Sequence, residues 1–172
     1  IISNNYATNG SGIMLYAARS NTVYATICSN NATTYGSGLY LYANSDHNAI
    51  NASIFNNTIV TAGGGISIVG SYSNTISGSI MSNSSADIGG GIFMQGSSSN
   101  AVNSTIGYNQ STNNGGGIAM WDGCFNNQFN STIISNSSRD GGGINIYYNN
   151  SSYNTIGGII ATSRITHSDV LT

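Results

Sequence analysis

Apolar residues recur along this chain with two superposed periods. Short stretches alternate apolar and variable residues, as in Ile13-Met14-Leu15-Tyr16, Leu39-Tyr40-Leu41-Tyr42, Ile66-Ser67-Ile68-Val69, Ile92-Phe93-Met94-Gln95, Ile118-Ala119-Met120-Trp121 and Ile144-Asn145-Ile146-Tyr147. A period of two places alternate side chains on opposite faces of a β-strand, so each stretch predicts a strand with its aliphatics inward. A second set, Val23-Ala25-Ile27, Ile50-Ala52-Ile54, Ile76-Gly78-Ile80, Val102-Ser104-Ile106 and Phe129-Ser131-Ile133, predicts another strand per repeat with a small middle residue. The longer period is about 26 residues and runs from Ile1 through Ile27, Ile54, Ile80, Ile106 and Ile133 to a half-block at Ile159. Such a period predicts a solenoid in which each coil contacts only its neighbours. The expected fold is all-β, a parallel β-helix of six coils over residues 1–158, with residues 159–172 as a half-coil, cap or inter-subunit strand.

Polar positions keep the same phase. Asn follows the leading Ile at Asn4, Asn30, Asn57, Asn83, Asn109 and Asn136, and a second series runs Asn21, Asn48, Asn74, Asn100, Asn127 and Asn154. Stacked Asn side chains can hydrogen-bond from coil to coil as amide ladders. Glycine triplets or Gly-Ser-Gly precede each of the first strands, at Gly10, Gly36, Gly63, Gly89, Gly115 and Gly141. Glycine there supplies positive φ or close backbone approach. Only the loop between the glycine-led strand and the second Asn changes length, which marks that edge as a contact side.

The paired motifs resemble the GGAI and FxxN repeats of the chlamydial polymorphic outer-membrane proteins and related right-handed β-helix surface proteins. They stand here as Gly63-Gly64-Gly65-Ile66 with Ile54-Phe55-Asn56-Asn57, and as Gly89-Gly90-Gly91-Ile92 with Ile80-Met81-Ser82-Asn83. Ile replaces Phe, and the third Gly replaces Ala. The resemblance spans about residues 1–158 and implies a right-handed parallel β-helix at a cell surface, with an adhesive or structural role.

Composition narrows the function further. Charged residues make up 5% of the chain, with neither Lys nor Glu, and the net charge of −2 provides no basic footprint for nucleic acid. No apolar run is long enough for a membrane span. Hydrophobic residues at 39%, in register with the repeat, argue against disorder. Catalysis of the pectin-lyase or polygalacturonase kind needs clustered carboxylates, a basic side chain or bound calcium. The five Asp are Asp46, Asp87, Asp122, Asp140 and Asp169; Asp87 and Asp140 share a phase, with Arg139 beside them, and Asp46-His47 lies on a variable loop. The expectation is a non-enzyme without cofactor or metal. Cys28 and Cys124 lie three coils, about 14 Å, apart, too far for a disulfide; Cys28 is expected inside and Cys124 in an exposed loop.

Two surface features follow. Met14, Tyr16, Tyr40, Tyr42, Phe93, Trp121 and Tyr147 are expected outward on one face, as a protein contact or a platform for sugar rings. Of 11 Asn-X-Ser/Thr sequons, Asn51, Asn103 and Asn130 are expected outward beside the second strand, and Asn149 or Asn150 in the longest loop. Asn83, Asn109 and Asn136 are available only if their ladder faces out. The first coil begins in repeat phase without a cap, which exposes Ile1 and Ile2, while Ile159, Ile165 and Leu171 mark the other end. Open ends that do not close favour a head-to-tail homo-oligomer. The leading expectation is therefore a secreted, glycosylated extracellular filament subunit. A cell-surface adhesin or polysaccharide-binding segment, with surface glycans as partners, is the alternative; a carbohydrate-active enzyme is the third. An ice-binding role ranks below these, for want of a continuous outward Thr ladder.

Overall fold

A computed structural model describes residues 1–147, 151–161 and 163–165. The described chain is all-β, and three parallel sheets run its length. The long sheet contains Ile2–Ser3, Thr22–Cys28, Ala49–Phe55, Thr75–Met81, Ala101–Gly107, Gln128–Ile134 and Thr155–Ala161. The glycine-led sheet contains Ile13–Tyr16, Leu39–Tyr42, Ile66–Val69, Ile92–Gln95, Ile118–Trp121 and Ile144–Tyr147. Between them in each coil lies a third strand that the sequence pattern did not predict: Tyr6–Asn9, Asn31–Tyr35, Thr58–Ile59, Ser84–Ser85, Gln110–Ser111, Ser137–Ser138 and Arg164–Ile165. Each strand pairs with its counterparts one coil before and after, which is the defining connectivity of a solenoid.

The core is a set of columns. Ile54, Ile80, Ile106 and Ile133 stack in register at 0–1% exposure, beside Leu41, Ile68, Met94 and Met120 from the glycine-led sheet. Identical aliphatics one above another keep the interior packed without long-range interdigitation, so each coil is completed by its neighbours alone. The small middle residues of the long strands, such as Ala52, Ser104 and Ser131, are also buried.

Both Asn series form ladders. In the first, the backbone N–H and side-chain Nδ2 of Asn83 both donate to Oδ1 of Asn109 at 2.9 and 3.1 Å, and Asn109 does the same to Asn136 at 2.9 and 3.0 Å. The second behaves alike from Asn21 through Asn48, Asn74, Asn100 and Asn127 to Asn154. Buried amides paired this fully satisfy the turn backbone where no sheet hydrogen bond is available. The glycines make this closeness possible: a Cβ on Gly65 would sit 2.6 Å from the Gly91 carbonyl oxygen and 2.8 Å from the Ile80 side chain.

Cross-coil pairing corrects the reading of both ends. Ile2, not Ile1, pairs with Ile27, and Asn5, not Asn4, is the first ladder member, donating to Asn30 Oδ1. Ile1 is outside the pairing and 94% exposed. At the other end Ile160 pairs with Ile133, which makes Ile159 the partner of Thr132 and an outward residue, 61% exposed. Ile165 pairs through its backbone with Ser138, and Leu171 lies outside the described residues.

The cysteines exchange their expected places. Cys124 is fully buried, in a turn column with Ser71 and Ser97, and its Sγ donates to the Trp121 carbonyl at 3.2 Å. Cys28 faces outward on the long sheet and is half-buried; both thiols are free. The loop containing Cys124 is long but folds back over the core, which the sequence pattern could not show.

Candidate functional site

The glycine-led strands place two columns on their outward face. Their fourth residues, Tyr16, Tyr42, Val69, Gln95, Trp121 and Tyr147, are in register through all six coils. Tyr16, Tyr42 and Tyr147 are 63%, 38% and 45% exposed, and Trp121 is half-buried. Met14, at the start of the other column, is also exposed. This much agrees with the expected aromatic face.

Tyr40 and Phe93 do not belong to the exposed part. Both occupy the second strand position, and both are buried, at 3% and 2% exposure. The cover comes from the residues just before the glycines: Ala62 and Ile88 form a small second cluster with Phe93 and Ala119, against which Tyr35, Val69 and Trp121 pack. Burial also pushes the Tyr40 hydroxyl well above the ordinary tyrosine range, and the neighbouring Tyr42 and Tyr35 add to the shift. Tyr35 is the aromatic that sequence reasoning missed. Its signal was its place immediately before Gly36, where other coils carry Ala62 and Ile88.

Together these residues form an unbroken run of seven rings. Tyr16 lies 5.6 Å from Tyr42, which lies 5.3 Å from Tyr40; Tyr40 stacks on Tyr35 at 5.5 Å. Tyr35 reaches Phe93 at 6.1 Å, Phe93 meets Trp121 edge-on at 6.1 Å, and Trp121 tilts against Tyr147 at 5.9 Å. All of these separations fall in the attractive range for aromatic pairs. Ser67 sits between Tyr40 and Phe93 in the column, and its small side chain, bonded to Ala62 O and Gly36 N–H, leaves room for the Tyr35–Phe93 contact. Tyr42 and Trp121 pack on the buried rings, and the face presents two pairs, Tyr16 with Tyr42 and Trp121 with Tyr147.

Three of the carboxylates are engaged elsewhere. Asp46 is buried, lies 3.3 Å from the Arg19 guanidinium and accepts the Tyr72 backbone N–H at 2.9 Å. Asp87 accepts from Asn113 Nδ2 at 2.7 Å, and Asp140 pairs with the adjacent Arg139 at 3.3 Å. Asp87 and Asp140 do not share a register, because Asp140 pairs with Asn114 and Asn114 with Ile88. Among the described residues, no group of three His, Cys, Asp or Glu is placed to hold a metal. His47 is exposed on its loop, and Asp169 lies outside the described residues.

Of the sequons, Asn51, Asn103 and Asn130 are exposed on the outer face of the long sheet. Asn83, Asn109 and Asn136 are at most 1% exposed and fully used by their ladder. Asn149 and Asn150 lie outside the described residues.

The family profile described as right-handed beta helix region matches residues 1–106. The chain belongs to that family. No curated protein and no solved structure matches this β-helix. No helix among the described residues of the β-helix is long and apolar enough to cross a membrane.

Proposed function

We propose that this β-helix is a non-enzymatic contact element, displayed outside the cell or at its surface, that binds polysaccharide along the aromatic side of its glycine-led sheet. The observation that carries this reading is the fixed aromatic run from Tyr16 to Tyr147. Aromatic rings packed on one another cost little conformational entropy on binding and offer apolar surface to the C–H faces of sugars, although the rings within each outer pair are tilted, by 53° for Tyr16–Tyr42 and 44° for Trp121–Tyr147. Around them stand amides and hydroxyls with few charges, the chemistry that neutral sugars require. The likeness of the GGGI and IxxN motifs to chlamydial surface-protein repeats supports the location.

Glycan-array binding of the purified protein tests the reading. Trp121→Ala and Tyr16→Ala should each weaken binding about tenfold, the equivalent of ~1.4 kcal/mol per stacked ring, with the far-ultraviolet circular dichroism unchanged. An array without signal refutes glycan binding. Assembly that grows with concentration and ignores both substitutions would support the head-to-tail filament instead.

A further inference from the structure

The two ring pairs, in which Tyr16, Tyr42 and Tyr147 are exposed and Trp121 is half-buried, have a spacing that a ligand must match. Strands of one sheet lie about 4.8 Å apart, so three coil steps put Tyr42 and Trp121 about 14 Å apart along the axis, and five steps put Tyr16 and Tyr147 about 24 Å apart. Val69 and Gln95 fill the column between the pairs and, like Trp121, are half-buried. Gln95 Nε2 donates to Asp122 Oδ2 at 3.4 Å, which leaves carbonyl and carboxylate oxygens in mid-column to accept from hydroxyls. An extended chain of equatorially linked hexopyranoses advances per sugar by nearly the same step as one coil.

We infer that Tyr16–Tyr42 and Trp121–Tyr147 are the two halves of a single site for one extended, uncharged polysaccharide chain lying parallel to the solenoid axis, with about one sugar per coil. The inference rests on the glycan-binding reading above and adds the ligand's shape, length and direction. Charge selects in the same sense: the column contains neither Lys nor Arg, and Asp122 beside Gln95 disfavours acidic sugars. A chain that spans both halves gains the second contact intramolecularly, so its affinity exceeds that of either half without any new kind of contact.

Calorimetric titration with β-1,4-linked glucose and N-acetylglucosamine oligomers, as dimers, tetramers and hexamers, tests this. The expected result is a hexamer that binds one per protein and about 100-fold tighter than the dimer, while dimers bind two per protein. Replacing Tyr16 and Tyr42 together by Ala should reduce the hexamer to dimer-like affinity while Trp121 fluorescence still reports binding. The reciprocal Trp121→Ala, Tyr147→Ala protein should lose length dependence to the same extent. Equal affinity for dimer and hexamer, or two hexamers per protein, overturns the single bipartite site and leaves the aromatic platform standing. Array binding confined to single terminal sugars or kinked chains, with both oligomer series silent, overturns it likewise. Silence of the oligomers and of the array overturns both readings together.

Discussion

Asn109→Ala is the sharpest test of what holds the coils together. Asn109 is fully buried, and its Oδ1 accepts from the backbone N–H of Asn83 at 2.9 Å and from Asn83 Nδ2 at 3.1 Å. Its own Nδ2 donates to Asn136 Oδ1 at 3.0 Å and to the Ile80 carbonyl at 2.9 Å. Alanine removes all four bonds and strands two buried donors on Asn83. At about 1–3 kcal/mol for each stranded group, with the Ile80 carbonyl partly compensated, the cost is about 3–6 kcal/mol. That is a large share of the ~5–15 kcal/mol typical of a whole domain. Asn5→Ala serves as the control: Asn5 is exposed, its side chain contributes one ladder bond, and the loss should stay within about 1 kcal/mol. Asn109→Asp keeps the acceptor but turns a carboxylate toward the Ile80 carbonyl, and should cost at least as much as alanine. Urea unfolding followed by circular dichroism measures all three. An Asn109→Ala protein within about 1 kcal/mol of the parent, or no more destabilised than Asn5→Ala, would refute the ladder as a main source of stability.

Cys124→Ser should be nearly neutral in the same unfolding assay, within about 1 kcal/mol, because Ser71 and Ser97 occupy the equivalent turn position. In the native protein, burial raises the Cys124 thiol above its ordinary range, so iodoacetamide at neutral pH should label Cys28 alone, and peptide mapping would show any exception. For Tyr40 the folded state favours the neutral hydroxyl, so its contribution is complete below the unfolded tyrosine pKa of about 10 and declines as pH rises beyond it. Tyr40→Phe should therefore flatten the fall in urea midpoint as pH rises above about 10, and an unchanged fall would show that Tyr40 is not the group responsible. In a glycosylating host, peptide mass spectrometry should find sugar on Asn51, Asn103 or Asn130 and none on Asn83, Asn109 or Asn136; a modified ladder Asn would mean that the turn opens before folding is complete.

The parts of this fold that repeat were legible in the sequence, because a column of Ile or Asn is a period as well as a place. The short strands after the first Asn were not. Pairs such as Ser84-Ser85 and Ser137-Ser138 are strands only through their neighbours in the adjacent coils, and show no apolar alternation of their own. Both Ile1 and Ile2, and both Asn4 and Asn5, satisfy the motif, and only the pairing of Ile2 with Ile27 chooses between them. The aromatic face was half legible. Alternation correctly placed Tyr40 and Phe93 outside the main core, but the residues that cover them are neighbours only after the turn has closed. Cys124 misled for a similar reason: its loop varies in length, while its side chain continues a column of serines.

Interchangeable coils carry a hazard of their own, since a chain displaced by one whole repeat would still find Ile over Ile and Asn over Asn. The first two coils differ from the others in having Ser in place of the middle glycine. Ser11 Oγ donates to the Ser37 carbonyl at 2.7 Å, and Ser37 Oγ donates to the Asn30 carbonyl at 2.7 Å. Moved one coil along, Ser11 would take the place of Ser37, but Ser37 would lie where Gly64 now meets the Ser84 backbone, a space too tight for any side chain. The serine of the second coil therefore acts as an address in the stack, giving the correct alignment an energy gap over its frameshifted competitors.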